Sequence, residues 1–106
     1  MTTTDTGRLL PYMSPPTSLE EASARISNLA AESYEGLVGM KFLSMDQLRM
    51  AMAELGTSIA FVEIKGWQTD TVKLYEGDFN DKNGKKWWLM VRELTDSGVD
   101  VIQVTD

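Results

Sequence analysis

The sequence predicts an α+β fold in which two N-terminal helices pack on a four-stranded antiparallel β-meander. Three observations carry this expectation. Two stretches with helical apolar spacing each open on a capping-box signature, Ser18-Leu-Glu-Glu21 and Ser44-Met-Asp-Gln47. After residue 57 the apolar period shortens to two, the period of a strand with one buried face. The links between the later runs are short and rich in Gly, Asp, Asn, Ser and Thr, which favours antiparallel neighbours.

The chain has 106 residues, enough for one domain with a single core. Residues 1–17 read as a mobile arm that holds all three prolines, Pro11, Pro15 and Pro16. Within it Leu9-Leu-Pro-Tyr-Met13 is unusually apolar for a free tail, as a segment packed on the domain or a linear motif for a partner would be. Residues 18–106 form the expected domain. Its first helix starts at Ser18 and places Leu19, Ala22, Ile26, Leu29, Ala30 and Ser33 on one face, with Glu35-Gly36 as its stop. Residues 37–43 are apolar and broken by Gly39, and periodicity leaves them between a buried strand and a packed connector. The second helix follows Ser44 with the stripe Met45, Leu48, Ala51, Met52 and Leu55, and Gly56 suits its C-terminal end. Met45 and Met52 read as core filling, whereas Met50 lies off the stripe. The expected strands are residues 58–65, 71–79, 85–94 and 99–105.

Several function classes are disfavoured by composition. The chain has neither Cys nor His, which removes disulfides, thiolate chemistry, the commonest general base and the usual zinc ligands. No phosphate-binding glycine loop, dinucleotide fingerprint or nucleophile elbow occurs. A non-enzymatic protein without cofactor or metal is therefore expected. No run approaches the roughly 18 apolar residues of a membrane span, and the first residues lack a basic segment followed by an apolar one, so a cytoplasmic location is expected. The net charge is −6, spread along the chain, with a base-free acidic segment from Glu93 to Asp106. An acidic surface repels a phosphate backbone, so nucleic acid is an improbable partner.

The segment Asp78-Phe-Asn-Asp-Lys-Asn-Gly-Lys-Lys-Trp-Trp88 resembles a calcium loop at first sight. An EF-hand needs oxygen ligands at its first, third, fifth and twelfth positions and Gly at the sixth. Started at Asp78, the fifth position is Lys82 and the twelfth Leu89; started at Asp81, the fifth is Lys85 and no Glu closes the loop. The segment instead reads as a hairpin, with Asn83-Gly84 as a two-residue type I′ turn. Lys82, Lys85 and Lys86 near Trp87 and Trp88 would suit single-stranded nucleic acid, but Lys at a hairpin tip more often protects an edge.

That turn sets the side-chain parity. It pairs Phe79 with Trp88 and Tyr75 with Arg92, and an odd loop length would flip one strand. The core face then carries Val72, Leu74, Trp87, Leu89 and Val91, joined by Ile102 and Val104 if Leu94 pairs with Val99. The opposite face carries Lys73, Tyr75, Phe79, Trp88, Met90, Arg92, Leu94, Val99 and Val101. A solvated sheet face should be polar, and this one is rich in aromatic and aliphatic side chains. Tyr75, Phe79, Trp88, Met90, Arg92, Val99 and Val101 are accordingly the candidate partner-binding residues, facing another protein or a second copy of the chain. Two other readings remain: an acidic mimic of nucleic acid of the phage or plasmid inhibitor type, and a small-ligand protein or carboxylate enzyme using Glu63, Glu76 or Glu93.

Overall fold

The structure, a computed structural model, describes residues 14–106. The candidate segment Leu9–Met13 and the first residues of the expected arm lie outside them. Among the described residues the architecture is α+β: two helices, α1 (Leu19–Leu29) and α2 (Met45–Glu54), packed on a five-stranded antiparallel sheet. Both helices start where the capping signatures place them. The Ser18 and Ser44 hydroxyls accept the amides of Glu21 and Gln47 at 3.1 Å. The partner side chains reach one residue further back than a capping box requires. Glu21 accepts from the amide of Thr17, and Gln47 from the amide of Leu43. The chain is already tied down before Ser18: Pro16 is buried, and Gln47 Nε2 donates to its carbonyl.

The sheet has one strand more than expected. After a 3₁₀ turn at Tyr34–Leu37, the undecided segment supplies β1 (Lys41–Phe42), which pairs with the last strand. Then come β2 (Val62–Glu63), β3 (Val72–Asn80), β4 (Lys86–Leu94) and β5 (Gly98–Thr105), in the spatial order β1-β5-β4-β3-β2. The meander is thus β2 to β5, with β1 added beside β5. Of the strand expected over residues 58–65 only Val62–Glu63 pairs, because the chain before it crosses the inner side of β3. It crosses at Gly77, where a Cβ would lie 2.6 Å from the Ala60 carbonyl oxygen.

The hairpin parity differs from the type I′ expectation, and the reason lies in the loop. Asn80 pairs with Lys86, and the Asp81 amide donates to the Lys85 carbonyl, leaving the three-residue loop Lys82-Asn83-Gly84. Gly84 N–H closes a turn on the Asp81 carbonyl, and only Gly84 takes positive φ, at 81°. A type I′ turn needs Asn83 at positive φ as well, and Asn83 does not adopt it. The odd loop turns β3 over relative to β4. Phe79 therefore pairs with Trp87, and Tyr75 with Val91.

A second one-residue change follows at the β4–β5 turn. Leu94 pairs with Gly98, so Val99 faces Glu93 and Val101 faces Val91. A bulge beside Met90 and Val91 then absorbs Ile102 and returns Val104 to the inner face. The core gathers Ala22 and Ile26 from α1, Leu48, Ala51 and Met52 from α2, Leu37, Met40 and Ile59 from the connections, and Phe42, Phe79, Trp87, Leu89, Val91, Val99, Val101 and Val104 from the sheet. Both helices cover this inner face. Val72, Leu74 and Ile102, expected in the core, fall outside that cluster.

Parity has a direct thermodynamic test by denaturant unfolding. Phe79→Ala is expected to cost about 3–5 kcal/mol and Leu89→Ala about 2–5 kcal/mol, as buried truncations do, while Met90→Ala costs less than about 1 kcal/mol. A larger loss for Met90 than for Phe79 would reverse the assignment.

Candidate protein-binding face

Four of the seven residues expected on the outer face belong to the inner one. Phe79, Val99 and Val101 are only 4 %, 1 % and 1 % exposed. Phe79 meets the Tyr34 ring edge-on, with centroids 5.0 Å apart. Tyr75 packs against the core, and its hydroxyl donates to Glu93 Oε1 at 3.2 Å. Burial, reinforced by the Glu93 carboxylate, pushes the Tyr75 phenol above its ordinary pKa. The physical cause in each case is the odd loop at one end of the strand. Trp88, Met90 and Arg92 do face outward, because β4 keeps its expected parity.

The residues brought beside these three come from strands whose parity flipped. Across β3 and β4, Asp78 lies opposite Trp88, Glu76 opposite Met90, Leu74 opposite Arg92, and Val72 opposite Leu94. Val62 pairs with Glu76, and the Ile64 amide donates to the Leu74 carbonyl, extending the surface to β2. On the other side Asp100 lies opposite Arg92, with Lys41 beyond it. The outer face therefore has an apolar band of Val62, Ile64, Leu74, Met90, Leu94 and Trp88. None of these packs against the core cluster, and Val62 is 65 % exposed.

The cations on this face are paired with its carboxylates, and Glu76 is held by an indole. Arg92 grips Asp100 through two hydrogen bonds, Nε to Oδ1 at 3.1 Å and a terminal nitrogen to Oδ2 at 2.8 Å. That bond and the adjacent negative charge raise the Arg92 pKa further. Lys41 Nζ lies 3.9 Å from the same carboxylate. Trp88 Nε1 donates to Glu76 Oε1 at 3.0 Å, and Lys86 lies 3.7 Å from Asp78. Glu76 is thus an outer-face residue, while Glu93 faces inward to Tyr75. Sequence reasoning missed Leu74, Glu76 and Asp100 as members of the face, since each depends on loop length.

The hairpin tip is organised around Asp81. Its Oδ1 accepts the amides of Asn83 and Lys85, both at 2.9 Å, and its Oδ2 accepts Trp87 Nε1 at 3.0 Å. The indole bond first, and then the two amides and the Lys85 charge, hold the Asp81 carboxyl below its usual range. Lys85 lies over the Trp87 ring, 4.6 Å from its centre, and bridges to Asp106 at 2.8 Å. Two of the three tip lysines thus have carboxylate partners, which weakens the tip as a phosphate-binding groove. Among the described residues no cluster of three or more His, Cys, Asp or Glu side chains is placed to hold a metal, and no helix is long and apolar enough to cross a membrane.

Comparison with protein families, with curated proteins and with solved structures returns no match.

Asp81 makes the acid side of the stability curve informative. A carboxylate whose folded pKa lies below its unfolded value near 3.8 stabilises the fold above that value. The contribution is lost as pH falls through the lowered folded pKa. Asp81→Asn is therefore expected to lower the melting temperature at neutral pH. The gap to the wild type should narrow below about pH 4, because the neutral amide has nothing further to lose. Thermal unfolding followed by circular dichroism at pH 7 and at pH 3 checks this.

Proposed function

We propose that this chain is a non-enzymatic protein-binding module that docks through the outer face of its sheet. The observation that supports the reading is an apolar, aromatic band on the side of the sheet opposite the helices, with Trp88 and Met90 on its long central strand. A sheet face left to water is ordinarily polar. Trp, Met and Arg are also the residue types enriched where protein interfaces concentrate their binding energy.

The anchors are held before any partner arrives. The Trp88 indole is tied to Glu76, and the Arg92 guanidinium to Asp100. Side chains fixed in advance lose less conformational freedom on binding, a saving of about 0.5–1.5 kcal/mol for each one. The pairs Arg92–Asp100, Lys41–Asp100 and Lys86–Asp78 are already formed, so covering them strands none of these ions, the costly outcome of burying charge. Trp67, exposed in the β2–β3 connection, adds a further large apolar side chain near the β2 edge. One cleft of the described surface is lined by Met45, Arg49, Phe61, Tyr75 and Glu93, and another by Leu94 with Lys73, Glu93 and Val99. A broad protein surface suits the outer face better than an enclosed small molecule does.

The double variant Leu74→Lys, Met90→Asp is expected to keep a cooperative unfolding transition. It should also lose every association that the wild-type chain shows, read by light scattering and affinity capture side by side. A variant that no longer folds, beside a wild type that associates with nothing, would make the face part of the core and end this reading.

A further inference from the structure

We infer that the occupant of the outer face is a second copy of the same chain, docked face to face so that two sheets form a sandwich. The inference rests on the binding role just proposed for that face and assigns its partner.

Charge supplies the first argument. Each chain carries −6, so two copies repel one another across most surfaces they could present. The outer face is the exception. Its cations Lys41, Lys86 and Arg92 are matched by Glu76, Asp78 and Asp100, leaving the patch neutral. Arg92 and Lys41 are paired with Asp100, and Lys86 with Asp78, all within one copy. A neutral face gains nothing from a strongly basic or strongly acidic partner, yet lets a like-charged chain approach at a side that carries no net charge. An isologous contact asks for this self-compatibility, because the same patch must satisfy itself.

Area supplies the second. The three long strands, about 30 Å in extent and about 4.8 Å apart, with the two short edge strands, present roughly 500 Å² in projection. Two copies would cover about 1,000 Å² before side-chain relief is added, the area a specific interface has to clear. Sheets packed this way lie about 10 Å apart with strands crossing at about 30°, and the band from Val62 and Leu74 to Met90 and Trp88 fills such a layer.

The test is light scattering and sedimentation equilibrium on the full chain and three variants. Met90→Asp places a charge in the centre of the face. Gln103→Arg changes an exposed outer residue opposite Met90, which folding does not depend on. Met50→Asp alters an exposed apolar residue on α2, away from the sheet. The wild type should weigh twice the chain mass, with a dissociation constant little changed by salt. Met90→Asp and Gln103→Arg should weaken self-association at least about 30-fold, as loss of an interface hot spot does, while Met50→Asp should leave it intact. A wild-type dimer that survives both face variants uses another surface, and overturns the inference. Should Met90→Asp fail to fold, Gln103→Arg alone decides.

A monomeric wild type also overturns it, and Met90→Asp then separates the two claims. If that variant folds, the face remains a docking surface for a different protein; if it unfolds, the face is core and the binding role falls too. Uptake of the neutral dye Nile red by the monomer only after Leu10→Asp would assign the face to residues 9–13 instead.

Discussion

The carboxylate of Asp81 is the constraint on which the sheet depends. By accepting the amides of Asn83 and Lys85 and the indole N–H of Trp87, it holds the β3–β4 connection at three residues. Loop length is a discrete quantity, and in a strand one residue moves every side chain to the opposite face. A single acceptor group at the tip therefore decides which half of β3 meets the helices. Phe79 then falls beneath Tyr34, and Tyr75 joins the core beside Val91. Trp87 takes part twice, as a buried ring against Tyr34 and as a donor to Asp81. The tip and the core are thereby coupled through one side chain.

What could be read in advance follows the same logic. Features that depend on local chemistry were legible: both helix starts, the buried stripe of Leu48, Ala51 and Met52, and the alternation of β4 with Trp87, Leu89 and Val91 inward. Features that depend on the relation between strands were not. Asn83-Gly84 fits a two-residue type I′ turn and also a type I turn followed by a left-handed glycine, and the two differ by one residue of loop. The discriminating signal was Asp81 itself, which can accept amides two and four residues ahead. At the second turn, Gly98 takes positive φ, and a Cβ there would lie 2.4 Å from the Phe42 carbonyl oxygen. That close approach accompanies the pairing of β1 with β5, a long-range contact that no local pattern announces. Within the undecided segment 37–43, Lys41–Phe42 is a strand for the same reason: the preceding Gly39 N–H and Met40 carbonyl bond to Val101, whatever their own propensities.

The bulge at Ile102 compensates for part of that change. With Leu94 opposite Gly98, an unbroken β5 would carry Val99, Val101 and Gln103 inward and leave Val104 outside. One extra residue restores Val104 to the core and puts polar Gln103 on the outer face beside Met90. Bulges also bend a strand and increase its twist, so the outer face is curved near Met90 rather than flat.

The parity that Asp81 imposes also determines the electrostatics of the outer face. Under the alternative register, Trp88 would lie opposite Phe79 and Arg92 opposite Tyr75, so that Arg92 and Lys73 would project from the face without the carboxylates of β3. The observed register sends Phe79 and Tyr75 inward and brings Glu76 and Asp78 out in their place. The one-residue change at the second turn does the same for Asp100. Each carboxylate then takes a partner already fixed by β4 or β1: Glu76 holds Trp88, Asp78 lies by Lys86, and Asp100 holds Arg92. Loop length thus converts a cationic aromatic face into a neutral one whose polar groups are mutually satisfied. Such a face holds its ion pairs ready made, so covering them costs less than covering lone charges. The rest of the chain stays acidic, so the face differs in charge from the surface around it.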